Sequence, residues 1–258
     1  MRIGGFVCSS MILAAAIAQG VPSRQIVAVR VDSAIRPDGD CAEQAYGNAV
    51  WSDPFVVLDP ESRQVNGLYL AADRKYADLK TRVAAFYDDL NFYVCIEAPL
   101  PKGVRATKRD RVEVHLSPSG DAVYQVSVDS EGLVRSVRYD SDPRKAKDWE
   151  SGAKAGTHVS SSEYVVELAI PFKSLGVKGL PVDMKANFVR RGESTGGFSS
   201  WAPTNRELVQ RDLFGDVRCG PGEGTDNRTN DPLPENDGKA AFLWGDDPWA
   251  NSGQFADV

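Results

Sequence analysis

Glu113 and His115 stand two residues apart in the alternating run Arg111 to Leu116, so on a strand they share one face. Gln125 and Ser127 repeat that spacing in the next alternating run, Tyr124 to Val128. If the two runs are neighbouring strands, these four side chains form a polar patch able to hydrogen-bond a ligand. The plain alternative is a solvated outer face, since half-exposed sheets carry polar residues by default. Hydrolytic chemistry is less well served. Glycoside cleavage needs two carboxylates at a set separation across a cleft, and among 36 acidic residues the sequence singles out no pair. There is no G-x-S-x-G elbow, H-E-x-x-H pair or P-loop. Nothing marks a nucleophile beside His115 or His158, the two histidines. The residues therefore favour binding over catalysis.

Those strands need a body to hold them. In 258 residues the chain is 42% hydrophobic and 26% charged, which suits a globular domain with a proper core. Its formal net charge of -6 argues against a nucleic-acid partner, which requires clustered Lys and Arg to displace counterions. The first 18 residues read as a signal peptide: Arg2 is the charged start, Phe6 to Ile17 the apolar run, and Ala16-Ile17-Ala18 the small-x-small cleavage pattern. A buried N-terminal helix is the alternative. The run is too short to span a bilayer, so the mature chain is expected outside the cytoplasm, secreted or periplasmic, with no membrane insertion. Cleavage leaves Cys41, Cys95 and Cys219 in an oxidising compartment, where one disulfide is expected. Cys95 lies in the apolar run Phe92 to Ile96 and reads as a buried small hydrophobe, which favours pairing Cys41 with Cys219, although three cysteines permit three pairings.

Along the chain, strand patterns dominate. Residues 19–34 read as a leader containing the strand-like run Ile26 to Val31, and Arg36 to Asp40 as a turn. Ala42 to Trp51 suits a short helix or an irregular stretch. Leu79 to Tyr87, the turn Asp88 to Asn91 and Phe92 to Ile96 make a hairpin. Strands then follow at Arg111 to Leu116, Tyr124 to Val128 and Leu133 to Tyr139. The polar segment Asp140 to Thr157 reads as a long connection with Trp149 as its one large anchor. Tyr164 to Ile170 is a β-prone run ending at Pro171, and Ala186 to Arg190 and Phe214 to Arg218 complete the set. Short strands with regular turns predict an all-β sandwich or barrel over residues 35–219. Residues 220–258 are rich in Gly, Pro and acid and read as a flexible tail, pinned back by Trp244 and Trp249.

Several local signatures stand in a fixed order: Asp38-Gly39 followed by Trp51; Tyr87 to Val94; Asp110-Arg111-Val112-Glu113-Val114; Tyr164 to Gly176 with its E-x-A-I-P-F-x-x-L piece; Asn187 to Arg190; Ser200-Trp201-Ala202-Pro203; and Phe214-Gly215-Asp216-Val217. This series resembles the family 9 carbohydrate-binding modules and their broad DOMON-related superfamily. The resemblance implies a jelly-roll-like β-sandwich of antiparallel strands, an extracellular setting and a carbohydrate or polysaccharide ligand. In the family's xylanase modules two tryptophans clamp a terminal glucose. Here Thr107 and Leu208 stand at the nearest positions, so the clamp does not carry over. Glu113 matches the family's glutamate, and Gln125 stands where the family has an arginine.

A sugar takes flat aromatic faces against its C–H surface and polar groups at its hydroxyls. Trp51 opens the domain and is expected in the core. Trp201, between Gly196-Gly197 and Pro203, faces a ligand or caps the sandwich, and Trp149 in its polar loop has the same two options. Arg190 and Arg191 suit a carboxylate or an acidic sugar, while Arg190 can equally pair with Glu167 or Asp110 inside the fold. The ligand-binding candidates are therefore Glu113, Gln125, Trp149, Arg190 and Trp201. Two cofactors follow from the resemblance. Calcium would take the hard oxygens of turns such as Asp38/Asp40 or Asp88-Asp89, which are also ordinary turn residues. Haem, held in some DOMON relatives by Met and His, would need Met184 with His115 or His158. A sandwich that serves protein interaction without a sugar is the remaining alternative.

Overall fold

The computed structural model describes residues 24–52, 54–58, 64–65, 68–70, 79–142, 144–192, 197–202, 209–220 and 241–242. The expected signal peptide, most of the tail, its tryptophans and Leu208 lie outside these residues. The strands are β1 (Gln25–Val27), β2 (Val29–Arg30), β3 (Val56–Leu58), β4 (Gln64–Val65), β5 (Leu68–Leu70), β6 (Arg82–Tyr87), β7 (Asn91–Pro99), β8 (Arg111–Ser117) and β9 (Val123–Asp129). They continue as β10 (Val134–Tyr139), β11 (Ala146–Asp148), β12 (Lys154–Val159), β13 (Glu163–Pro171), β14 (Val182–Gly192), β15 (Gly197–Ser200), β16 (Gly215–Cys219) and β17 (Ala241–Phe242). The described helices are short 3-10 turns, such as Gln44–Asn48. No helix among the described residues is long and apolar enough to cross a membrane.

Two sheets make the body. The larger runs β1-β16-β14-β8-β9-β10-β11, with β15 bridging β14 to β3, and the second runs β12-β13-β7-β6-β2. Alternation explains the layering, because successive side chains on a strand point to opposite faces. Val112, Val114 and Leu116 of β8 and Ala186 and Phe188 of β14 enter one core with Val83, Val94, Ile96, Val166 and Ile170 of the second sheet. The expected β-sandwich is therefore present, with one refinement of its antiparallel pattern: β1 pairs with β16 and β2 with β6 in parallel. The leader thus contributes one short strand to each sheet.

The segment Asp140 to Thr157, expected as a connection, carries β11 and β12. Both are edge strands, β11 exposed throughout and β12 exposed at three of its six residues, and edge strands hold their place through backbone bonds without an apolar pattern to betray them. The disulfide also differs from expectation. Cys41 bonds Cys95, and Cys219 is a buried free thiol. Cys95 sits opposite Glu167 of β13, on the outer face of the second sheet. There Val31, Ile35, Phe86, Tyr93 and Ala169 form a smaller apolar cluster, with Tyr46 and Trp51 packed on it. Trp51 is only partly buried, and the Arg82 guanidinium lies 4.3 Å from its ring centroid.

The segment carrying the Asp38-Gly39 turn lies directly on β12. A Cβ at Gly156 would fall 2.5 Å from the backbone of Asp38, and one at Gly39, where φ is 96°, would fall 2.4 Å from the carbonyl carbon of Thr157. Backbone against backbone leaves no side chain to move aside. Gly156→Ala is expected to destabilise the fold by about 1–3 kcal/mol, lowering Tm by roughly 2–4 °C per kcal/mol. An unchanged melting curve would show that this turn is not docked on β12.

Candidate functional site

β8, at the middle of the larger sheet, pairs with β14 on one side and β9 on the other. Arg111 lies opposite Arg191 and Asp129, Glu113 opposite Val189 and Ser127, and His115 opposite Asn187 and Gln125. Because Val112, Val114 and Leu116 enter the core, this second set of side chains shares the face turned away from it. The Glu113–His115–Gln125–Ser127 patch inferred from spacing therefore exists as one surface. It is not a solvated face. Glu113 is 1% exposed, His115 0% and Gln125 3%. One end is closed by Phe214, whose ring centroid is 5.8 Å from that of His115 and which packs with Val123, Tyr139 and Val209.

Glu113 is the centre of the face. Its carboxylate accepts hydrogen bonds from Arg111 Nε at 3.0 Å and Arg191 Nη1 at 3.3 Å, and lies 3.2 Å from His115 Nε2. Burial by itself would raise this carboxyl. The Arg191 charge, the His115 bond and the Arg111 charge outweigh burial and hold it well below the usual carboxylate range. Beside it, Tyr139 donates its hydroxyl to Gln125 Oε1 at 3.1 Å, which fixes the orientation of the amide. Asn187 orders the edge of the face: its Oδ1 accepts from Ala202 N at 2.9 Å and its Nδ2 donates to Ala202 O at 3.0 Å. Arg111, Asn187 and Tyr139 were not singled out by sequence, although the period of two that links Glu113 to His115 also reaches Arg111.

The remaining candidates stand elsewhere. Arg190, opposite Val112, points to the core side, where it donates to Thr81 Oγ1 at 3.0 Å and Pro99 O at 2.6 Å. Burial lowers its pKa against the charges of Tyr164 and Asp110. Trp201 is fully buried in the core, donates from Nε1 to Ser52 Oγ at 2.7 Å and packs edge-on against Phe188. Trp149 is half-buried at the rim of the core, with its ring centroid 4.9 Å from that of Tyr124.

Among the described residues neither cofactor expectation gathers a full ligand set. Met184 lies in the core, His115 on the opposite face of the same sheet, and His158 is an exposed residue of β12, so no Met–His pair converges. Asp88 spends its carboxylate on the N–H groups of Leu90 and Asn91 and on the Tyr93 hydroxyl. Carboxylate oxygens of Asp38, Glu43 and Glu167 come within 4.8 Å of one another, the right donor type for calcium but short of its six to eight ligands. Glu167 already accepts from the N–H groups of Asp38 and Gly39 and from the Tyr46 hydroxyl. It clamps the turn in place. Burial raises its carboxyl above the usual range, and the negative charge of Glu43 adds to that, against the three donated bonds.

Comparison with known proteins agrees with this architecture. A family model described as carbohydrate family 9 binding domain-like matches residues 46–217. No curated protein matches the sequence. Among solved structures, a Bacteroides uniformis protein described as carbohydrate-binding superposes with a TM-score of 0.59 at 15% identity, covering 76% of this chain and 99% of that one. A family 9 carbohydrate-binding module of Caldicellulosiruptor kristjanssonii, solved with cellotriose, gives 0.53 at 15% identity, covering 82% and 100%. The glucose complex of a family 9 module from that organism gives 0.53 at 15%, covering 79% and 100%. At this identity the superpositions establish the fold.

The Glu113 carboxyl has a lower pKa folded than unfolded, so folding favours its ionised form. That stabilisation is complete above the unfolded value of about 4.3 and drains away as pH falls toward the folded value. Glu113→Gln is therefore expected to lower stability at neutral pH, by about 3–5 kcal/mol as for a broken buried ion pair. The gap to the parent should narrow below about pH 4. Denaturant unfolding across the acid range measures both; a gap independent of pH would show that Glu113 is not held ionised.

Proposed function

The chain belongs to the carbohydrate family 9 binding domain-like family, and on that premise we propose that it is an exported, non-catalytic protein that binds a carbohydrate or polysaccharide. The observation that carries this reading is the polar row on the outer face of the larger sheet. Glu113, Arg111 and Arg191 form a pre-arranged set of charged hydrogen-bonding groups, with Gln125 fixed beside them. Sugar hydroxyls donate and accept together, and such a set bridges adjacent hydroxyls without reordering on binding. The ligand approaches from the Arg111 end, where the side chain is 20% exposed. The Phe214 end is closed.

In this reading Glu113 and Gln125, both buried, order the row from within, and the ligand meets it at the Arg111 end. Trp149, with Tyr124, offers a half-exposed aromatic surface at the rim of the sandwich, suited to a longer polymer that passes over the edge. Arg190 and Trp201 support the sheet from the core side. Export rests on the charged, apolar and small-residue order of the first 18 residues. The Cys41–Cys95 bond adds support, because disulfides persist in oxidising compartments.

Binding of the purified chain to a panel of soluble and insoluble neutral and acidic polysaccharides tests the proposal. One class is expected to bind, with Arg111→Gln weakening it about tenfold, the loss of roughly one hydrogen bond. Trp149→Ala is expected to weaken long chains and leave short oligosaccharides unaffected. No binding across the panel would overturn the reading.

A further inference from the structure

Along one flank of the sandwich the larger sheet ends at β10 and β11, and the second sheet ends at β12. Register fixes which side chains look toward the gap between them. Val134 and Ser136 of β10 stand opposite Val128 and Val126, both in the core, so they share the core-facing side. Ala155 and Thr157 of β12 stand opposite Leu168 and Val166, also in the core. All four are half-buried, whereas the residues one strand further in are buried. The two sides touch. Ser136 Oγ lies 2.6 Å from Ser151 Oγ, and a Cβ at Gly132 would fall 3.3 Å from Thr157 Oγ1. β11 pairs with β10 only from Val137 to Tyr139, so among the described residues the first half of β10 has no second strand beside it.

The chemistry of this flank is graded along its length. At one end Trp149 packs on Tyr124, both half-buried. At the other end stand Leu133, 51% exposed, and Val159, 42% exposed. They are two of the four large hydrophobic side chains that the described residues expose. Small apolar and hydroxyl groups lie between the ends. The charged neighbours in sequence turn away, because side chains alternate along a strand. Arg135 stands in the row of Ser127 on the outer face of the larger sheet, and His158 projects from the outer face of the second. Arg138, beside Tyr124, pairs with Asp140 at 2.9 Å.

Two exposed aliphatic side chains fall far short of the roughly 1,000 Å² that a specific protein interface buries. A sugar chain fits better. Pyranose rings set their C–H faces against aromatic and aliphatic groups, and their hydroxyls donate to and accept from hydroxyl side chains and an open strand edge. Val134 to Tyr139 spans about 17 Å at a strand's rise per residue, the length of several rings end to end. We propose that this flank is a binding strip for a neutral, linear polysaccharide, which runs from Trp149 and Tyr124 to Leu133 and Val159. The inference rests on the carbohydrate-binding reading above and extends its aromatic rim along the whole flank. The uncharged middle of the strip sets the ligand class.

The test is calorimetric titration of the purified chain with neutral glucan, xylan and mannan oligosaccharides, from disaccharide to hexasaccharide. In one series affinity is expected to rise at least about tenfold with length, indifferent to salt. A double variant, Leu133→Ser with Val159→Ser, changes exposed positions and should remove most of that rise with an unchanged melting curve. In the parent chain the backbone amide resonances of Val134, Ser136, Ala155 and Thr157 should shift on addition of the hexasaccharide, a readout that needs no variant. Affinity flat with length, a rise that survives the double variant, shifts confined to residues around Arg111, or binding confined to acidic chains would overturn the strip and leave carbohydrate binding standing. No binding of neutral or acidic chains would overturn both.

Discussion

A carboxylate as deeply buried as Glu113 is tolerable only where charge and hydrogen bonds replace the water it has lost. Here Arg111, Arg191 and His115 do that, and they come from two strands far apart in sequence. Their meeting requires β8 and β14 to pair in one register. A slip of a single residue would turn Glu113 into the core and Val112 or Val114 out of it. The buried charge and the apolar core therefore enforce the same register from opposite faces. The fold and the candidate site are two consequences of one alignment.

The second sheet has its own constraint. Glu167 lies on β13 and holds the Asp38-Gly39 turn by two N–H groups and Tyr46 by its hydroxyl. The Cys41–Cys95 bond ties the same segment to β7, and the glycines at 39 and 156 let the two backbones touch. The segment before β3 thus covers the outer face of that sheet. The outer face of the larger sheet carries the other buried carboxylate, Glu113, with arginines gathered around it.

The tryptophans divide along the same lines. Trp201 spends its Nε1 on Ser52, and Gly215 leaves room for its ring, which a Cβ there would approach to 2.3 Å. It is a joint between the larger sheet and the segment leading to β3. Trp51 lies under the Arg82 guanidinium. Both side chains are thus committed to building the sandwich, while Trp149 stays half-buried at its rim beside Tyr124.

Much of this was legible in the residues themselves. The period of two in Arg111 to Leu116 and Tyr124 to Val128, the punctuation by Asp-Gly and Pro, and the ordered short signatures were sufficient for the β-sandwich, because alternation and turn chemistry are local properties. The same period placed Glu113, His115, Gln125 and Ser127 on one face. Partners set by long-range contact were not legible. Arg190 and Arg191 are adjacent in the chain, yet one points into the core and the other to Glu113, and only the pairing with β8 decides which. Cys95 looked like a plain hydrophobe because its strand is apolar, and its disulfide depends on a segment folded over the outer face of the second sheet. Edge strands β11 and β12 escaped notice because backbone bonds hold them, and those carry no residue signature. Sequence determined which residues alternate; the tertiary structure decided which face became core and which kept its charges, because burial is a property of what packs on a strand and not of the strand.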